Sequence, residues 1–254
     1  MSDDMHRFLP ALRVRESAFK LFNPGKQSFE CPICHYVGPF RDLAVKTGHR
    51  MHARCARCGA LERHRLQSLV VHKVFDDVDT SSLRMLHFAP EDFFRPVFAR
   101  MFGSYETADL DGVDVDHRAD LQALPFADGS YDVVYASHVL EHVPDDTSAI
   151  AEIRRILAPG GIAILPVPLV APATIEYPQP NPSETMHVRA PGPDYFERYA
   201  AHFARVEQHG SDDFPERYQL YTYEDRSQLP NEQLPLRLPM FGVRHADIVP
   251  VCYA

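Results

Sequence analysis

Two cysteine pairs, Cys31-Pro32-Ile33-Cys34 and Cys55-Ala56-Arg57-Cys58, separated by twenty residues, constrain this chain more than any other feature. Each C-x-x-C turn can bring two sulfurs onto one metal while the stretch between the pairs folds back as a hairpin, which is zinc-ribbon spacing. Disulfides and a redox C-x-x-C are the competing readings. No secretory apolar segment precedes the pairs, so a reducing, cytoplasmic setting is expected and disulfides are disfavoured. A four-thiolate site has no open coordination position, so one Zn2+ on Cys31, Cys34, Cys55 and Cys58 is expected to hold structure and not to perform chemistry. The fifth cysteine, Cys252, lies in the apolar segment DIVPVCYA and reads as a core residue.

The middle of the chain carries a second pattern, HRADLQALPFADGSYDVVYASHVLEHVPDD from His117 to Asp146, then LAPGG and IAILPVP. Tyr131 to Ala136 is a short apolar strand, and Asp145 to Leu157 has helical periodicity through Ile150, Ile153 and Ile156 before Pro159-Gly160-Gly161 stops it. A helix between two strands implies a parallel pair and an α/β domain. Flanking patterns predict a helix at Leu66 to Phe75, a strand at Arg84 to Ala89, a helix at Glu91 to Met101, and a strand at Tyr105 to Leu110. After Pro168 a proline-rich insertion, VAPATIEYPQPNPSE, reads as a long loop suited to a substrate lid. A helix at Asp194 to Phe203, a strand near Arg205 to His209 and a last strand at Asp247 to Tyr253 complete the pattern. The predicted organisation is an N-terminal lead at 1–25, partly helical through LRVRESAFKLF, a zinc ribbon at 26–66 and an α/β domain at 67–254.

The chain of 254 residues is acidic, with a formal net charge of -9, which argues against a surface devoted to nucleic acid. Within 26–66, however, eight Lys and Arg residues face three carboxylates. Local compensation of zinc thiolates is the simpler reading of that excess, and a polyanion site the alternative. No apolar run approaches the length of a membrane span.

The motifs CPIC, ARCARCGALERHR, MLHFAPE, TADL, DLQALPFADGSYDVVYASHVLEHVPDD, LAPGG and HVR together resemble the class I S-adenosylmethionine (SAM)-dependent methyltransferases, in particular a bacterial subgroup with an N-terminal four-cysteine zinc ribbon. The resemblance spans nearly everything from Cys31 to Arg189. It implies a doubly wound, Rossmann-like seven-strand sheet with an antiparallel last strand, and SAM at the carboxyl ends of the strands. Asp109, ending the second strand, is then placed for the ribose diol; a strand-end turn aspartate is the plainer alternative. Asp120 would meet the adenine amine, with Leu121 beside the ring and Leu110 and Ser137 at neighbouring strand ends. The family's acid followed by glycine-x-glycine is here His87-Phe88-Ala89-Pro90-Glu91, so close backbone approach is reduced. Glu91 could instead bind the cofactor's ammonium and His87 its carboxylate, with Phe88 and Ala89 lining the turn.

SAM carries an intrinsically electrophilic methyl group, so the protein must align acceptor, carbon and sulfur and remove a proton where needed. His138 is the first candidate base, with Glu141 one turn on and His187 after the insertion. His142 reads more simply as a packing residue, and the segment His187 to Arg189 could carry substrate contacts. Three functions fit. The first is methyl transfer to oxygen or nitrogen of a small molecule, such as a sugar or natural-product intermediate. The second is RNA methylation with the ribbon as RNA-binding element; no aromatic-rich basic stripe supports it, and Ser137-His138-Val139-Leu140 stands where base-amino methyltransferases carry N-P-P-[FY]. The third is a SAM-binding enzyme or regulator with other chemistry. Acceptor and oligomeric state are not legible.

Overall fold

The computed structural model describes residues 17–45 and 48–254, so residues 12–16 of the predicted lead helix lie outside the described residues, while 17–21 are helical. The chain divides into two compact units. The first holds the described residues up to Val71 with Gly210–Asp225 and Gly242–Asp247; the second holds His72–His209, Arg226–Phe241 and Ile248–Ala254.

In the first unit, β1 (Phe29–Glu30) pairs antiparallel with β2 (Val37–Gly38), and β3 (Arg41–Val45) with β4 (Gly48–Arg54). The two cysteine turns repeat one geometry. Cys31 N donates to Tyr36 O and His35 N to Cys31 O; Cys55 N donates to Ala60 O and Gly59 N to Cys55 O. Each turn then needs a left-handed residue after its second cysteine, supplied by His35 at φ 56° and Gly59 at φ 81°. Helix α1 (Glu62–Phe75) follows and carries Arg65, whose guanidinium is fully buried. It donates to the carbonyls of Ala53, Ala60, Tyr218 and Gln219, joining the end of β4, the second cysteine turn and the returning segment. Arg57 donates to Cys34 O at 2.8 Å. Arg57 and Arg65 thus serve the backbone of this unit, while Lys26 and Arg50 pair with Asp42 and Glu62.

The second unit is built on β5 (Arg84–Phe88), α2 (Arg95–Met101), β6 (Ser104–Asp109), β7 (His117–Arg118), β8 (Tyr131–Ala136), α3 (Asp146–Ile156), β9 (Leu157–Ile164), β10 (Ile175–Asn181), β11 (His187–Ala190), α4 (Phe196–Ala200) and β12 (Arg205–Gly210). After two short strands of the first unit, β13 (Thr222–Tyr223) and β14 (Arg244–His245), the chain ends on β15 (Ile248–Tyr253). Seven strands form one sheet in the order β12-β15-β9-β8-β5-β6-β7. The ladders from β9 through β8, β5 and β6 to β7 are parallel, and β15 runs antiparallel to β9, as the family resemblance implies. Because β5 sits between β6 and β8, the chain changes direction across the sheet there, and a crevice opens beyond the carboxyl ends of these strands.

Helix α3 begins where Asp145 accepts from Ser148 N at 3.0 Å and buries Ala149, Ile150, Ile153 and Ile156 on the sheet. At that packing, Ile153→Ala would cost about 2–5 kcal/mol. The predicted Pro-Gly-Gly stop is instead a bulge inside β9. Tyr131 pairs with Leu157 and Val133 with Ile162, so the intervening residues loop out, with Gly160 at φ 76°. The helix predicted from Glu91 starts only at Arg95, after a turn in which Phe94 N donates to Glu91 O, because Pro96 belongs at a helix start and not its interior. The proline-rich insertion is also no open loop. β10 pairs antiparallel with β11 at Ile175↔Ala190 and Glu176↔Arg189, then only at Asn181↔His187, and Pro178 and Pro180 fall in the irregular stretch where they need not donate. Cys252 is fully buried in the core, as read.

Candidate functional site

A cavity of about 330 Å³ lies at the carboxyl ends of four neighbouring strands of the second unit. Phe88 and Ala89 line it after β5, Asp109 and Leu110 after β6, Asp120 and Leu121 after β7, and His138 after β8. Asp109 Oδ1 accepts from Asp111 N and Gly112 N, both at 2.9 Å, so one oxygen shapes the turn while the residue still borders the cavity. Asp120 is exposed and its carboxylate is held by Gln122, through the backbone N at 2.9 Å and Nε2 at 3.0 Å. Leu121 is buried. The loop carrying these two is tied to α3: Arg155 donates to Leu124 O and Phe126 O, and Glu152 accepts from Leu124 N.

His87 does not reach the cavity. Its ring is fully buried, Nδ1 lies 3.0 Å from Tyr105 Oη, and Nε2 lies 3.0 Å from Glu91 Oε2. A carboxylate can only accept, so Nε2 carries the proton to Glu91 and Nδ1 accepts from the tyrosine. Burial lowers the His87 pKa, with Glu91 opposing, which keeps the ring neutral. His87 and Glu91, expected at a cofactor's carboxylate and ammonium, are paired with each other here, and neither lines the cavity. Ser137 is buried and outside the cavity lining. Ala89 stands at φ 46°, in the backbone region where the family pattern carries glycine.

Three residues selected as catalytic candidates come together. His138 Nδ1 lies 3.3 Å from Glu141 Oε1, and His187 Nε2 lies 4.0 Å from the same oxygen. His138 is held at φ 55° by its N–H to Pro166 O at 2.9 Å. Glu141 is 1% exposed; burial works to raise its pKa, but His138 and His187 outweigh that and hold it below the ordinary carboxylate value. The sequence reading did not single out Ala119, Gln122, Val139, Val143 and Pro144, and it took His142 for a packing residue; all six also line the cavity.

Arg189, expected among substrate contacts, is instead buried and donates to the carbonyls of Leu140, Val143 and Pro144. Val188 N donates to Glu141 O at 2.9 Å. The β10–β11 hairpin therefore braces the segment that carries Glu141 and His142, and it contributes no residue to the cavity lining.

In the first unit the four cysteine sulfurs lie within 4.8 Å of one another, with Cys31 to Cys58 and Cys34 to Cys55 at 3.6 Å. Bonds of about 2.3 Å to a tetrahedral Zn2+ place sulfurs about 3.8 Å apart, so the cluster fits a metal, whereas a disulfide would need about 2.05 Å. None of the five cysteines is in a disulfide.

Residues 99–165 match the family model described as a methyltransferase domain. In fold, the chain is similar to an S-adenosylmethionine-dependent methyltransferase from Mesorhizobium loti, with a TM-score of 0.51 and 16% identity over 74% of this chain and 98% of that one. The second unit has the fold of the class I methyltransferases. The methyltransferase domain also has relatives in sequence. One is an uncharacterized 37.1 kDa protein in transposon TN4556 of Streptomyces fradiae, 40% identical over 84 residues, 32% of this chain and 24% of that protein. Another is the demethylmenaquinone methyltransferase of Staphylococcus epidermidis, 40% identical over 62 residues, 24% of this chain and 25% of that enzyme. The chain thus spans about a quarter of the length of these relatives. Among the described residues, no helix is long and apolar enough to cross a membrane.

Proposed function

We propose that this protein is a SAM-dependent methyltransferase acting on oxygen or nitrogen of a small-molecule acceptor. The observation that carries this is the cavity itself, because acidic residues at two successive strand ends and a histidine at a third border one space at the switch point of the sheet. When bound, SAM supplies a methyl group made electrophilic by its sulfonium. Asp109 accepts from a ribose hydroxyl while its Oδ1 keeps the turn, Asp120 accepts from the adenine amine, and Phe88, Leu110 and Leu121 pack on the apolar parts. Glu141 holds the Nδ1 proton of His138, which leaves Nε2 as the basic atom for the acceptor's proton. The four cysteines hold one structural Zn2+.

The named acceptor of the demethylmenaquinone relative is a small molecule, which supports this acceptor class over RNA. The test is methyl transfer from isotopically labelled SAM to a fractionated cell extract. Label is expected in the small-molecule fraction, with little dependence on salt. Label in RNA, falling steeply as salt rises, would overturn the acceptor class.

A further inference from the structure

Beside the cavity, Glu141, His142 and His187 offer one carboxylate and two imidazoles whose ligand atoms all lie within 4.8 Å of one another. From this geometry we infer a second metal site, for a divalent first-row transition ion, on these three side chains. The inference does not rest on the methyl-transfer reading.

Glu141 is the decisive residue. It is buried, and the nearest side-chain donor to its carboxylate is His138 Nδ1, a long contact at 3.3 Å from Oε1. A buried carboxylate held by so few donors is stabilised further by a cation beside it. Two imidazoles face it, with the rings of His142 and His187 at right angles and their centroids 4.6 Å apart. Two histidines and one carboxylate are a donor set suited to Zn2+, Fe2+, Mn2+ or Co2+, and three protein ligands leave open positions. Metal bonds of about 2.0–2.2 Å place ligand atoms about 3–4 Å apart, so closure needs side-chain movements of about 1 Å.

The surroundings of His187 support the same conclusion. With Nε2 turned to the Glu141 side, its Nδ1 lies 3.6 Å from Glu184 Oε2, the carboxylate-histidine relay that orients ligating imidazoles. Glu184 is itself fixed, since Oε1 accepts from Tyr177 Oη and from Arg237 Nε, each at 2.7 Å. Both His187 Nδ1 and Glu184 Oε2 are otherwise without partners among the described residues. His142 also lines the cavity, so the open coordination positions are reached from the space that takes the acceptor.

The experiment titrates the full-length, zinc-loaded protein with Co2+ and follows its visible d–d absorption. One equivalent is expected to bind with nitrogen and oxygen ligation and without thiolate-to-cobalt charge transfer. Glu141→Gln and His187→Ala should each lose at least about 100-fold in Co2+ affinity, and Glu184→Gln about 10-fold, because it only orients a ligand. Circular dichroism confirms the fold of each variant, and His142→Ala, altering a cavity-side ligand, provides a second deletion should Glu141→Gln not fold. Sulfur charge transfer alone, no saturable d–d signal, or unchanged affinity in His187→Ala and His142→Ala would each refute the site. Since no methyl transfer is measured, failure here leaves the enzymatic reading standing, and the reverse.

Discussion

His87 Nε2 and Glu91 Oε2 lie 3.0 Å apart, so the first strand and the turn after it close on each other through a buried neutral imidazole. The consequence is a pH-dependent stability. Burial lowers the folded His87 pKa below its ordinary 6.5, so the unfolded chain takes up this proton while the folded chain does not. The associated stability is complete above about pH 6.5 and falls as pH drops through it, by up to about 1.4 kcal/mol per unit until the folded pKa is reached. Urea unfolding from about pH 7.5 to about pH 5 should show a steeper fall in the native protein than in His87→Gln, where His142, its pKa also lowered by burial, still contributes. Parallel curves for the two proteins would remove the assignment.

Ala89 at φ 46° occupies a conformation that costs an L-residue about 1–2 kcal/mol, part of which glycine would return as unfolded-chain entropy. Ala89→Gly should therefore raise stability by about 0.5 kcal/mol, while the β-branched Ala89→Val should lower it by about 1–2 kcal/mol. Equal melting temperatures for all three proteins would contradict the strain.

Asp109 combines a turn with a proposed ribose contact, and two variants separate the roles. Asparagine can still accept from Asp111 N and Gly112 N, so Asp109→Asn should keep its melting temperature while SAM affinity falls about 10-fold through loss of the charge. Asp109→Ala should lose both. Calorimetric titration that shows undiminished SAM binding in the folded asparagine variant would leave Asp109 a turn residue only.

His138→Ala should lower turnover by about 100-fold or more and leave SAM affinity nearly intact, because proton removal acts in the transition state. Equilibrium titration beside steady-state rates distinguishes this from a collapsed cavity, in which both would fall.

Cys55→Ser should reduce bound zinc from one equivalent to none and destabilise the first unit, since metal affinity is folding energy there. Cys252→Ser should leave zinc unchanged, as Cys252 lies in the core of the other unit. Elemental analysis with thermal melts reads both, and a native protein without stoichiometric zinc would refute the ribbon.

Much of the architecture was legible because its signals are local. Tyr131–Ala136 is the strand predicted, and α3 departs by one residue at each end from the Asp145 to Leu157 expectation. Period and capping act over a few residues, and here tertiary packing agreed with them. The insertion was misread as a loop because prolines usually mark one. Here Glu176 and Arg189 pair across a hairpin, and Arg189 finds its carbonyl partners more than forty residues upstream.

The sequence by itself determined the class of fold, the four-sulfur cluster and the strand ends at which a ligand can sit, since hydrophobic period and short-range cysteine spacing suffice for these. Only the tertiary structure decided where each polar side chain at those ends points. Met85, Leu86, His87 and Phe88 are all buried, because a central parallel strand is covered on both faces, so alternation could not say whether His87 faced ligand or core. Likewise the return of 218–219 to Arg65, and the meeting of Glu141 with His187, join residues far apart in the chain. Such encounters depend on how loops close over the finished sheet, and no local pattern encodes them.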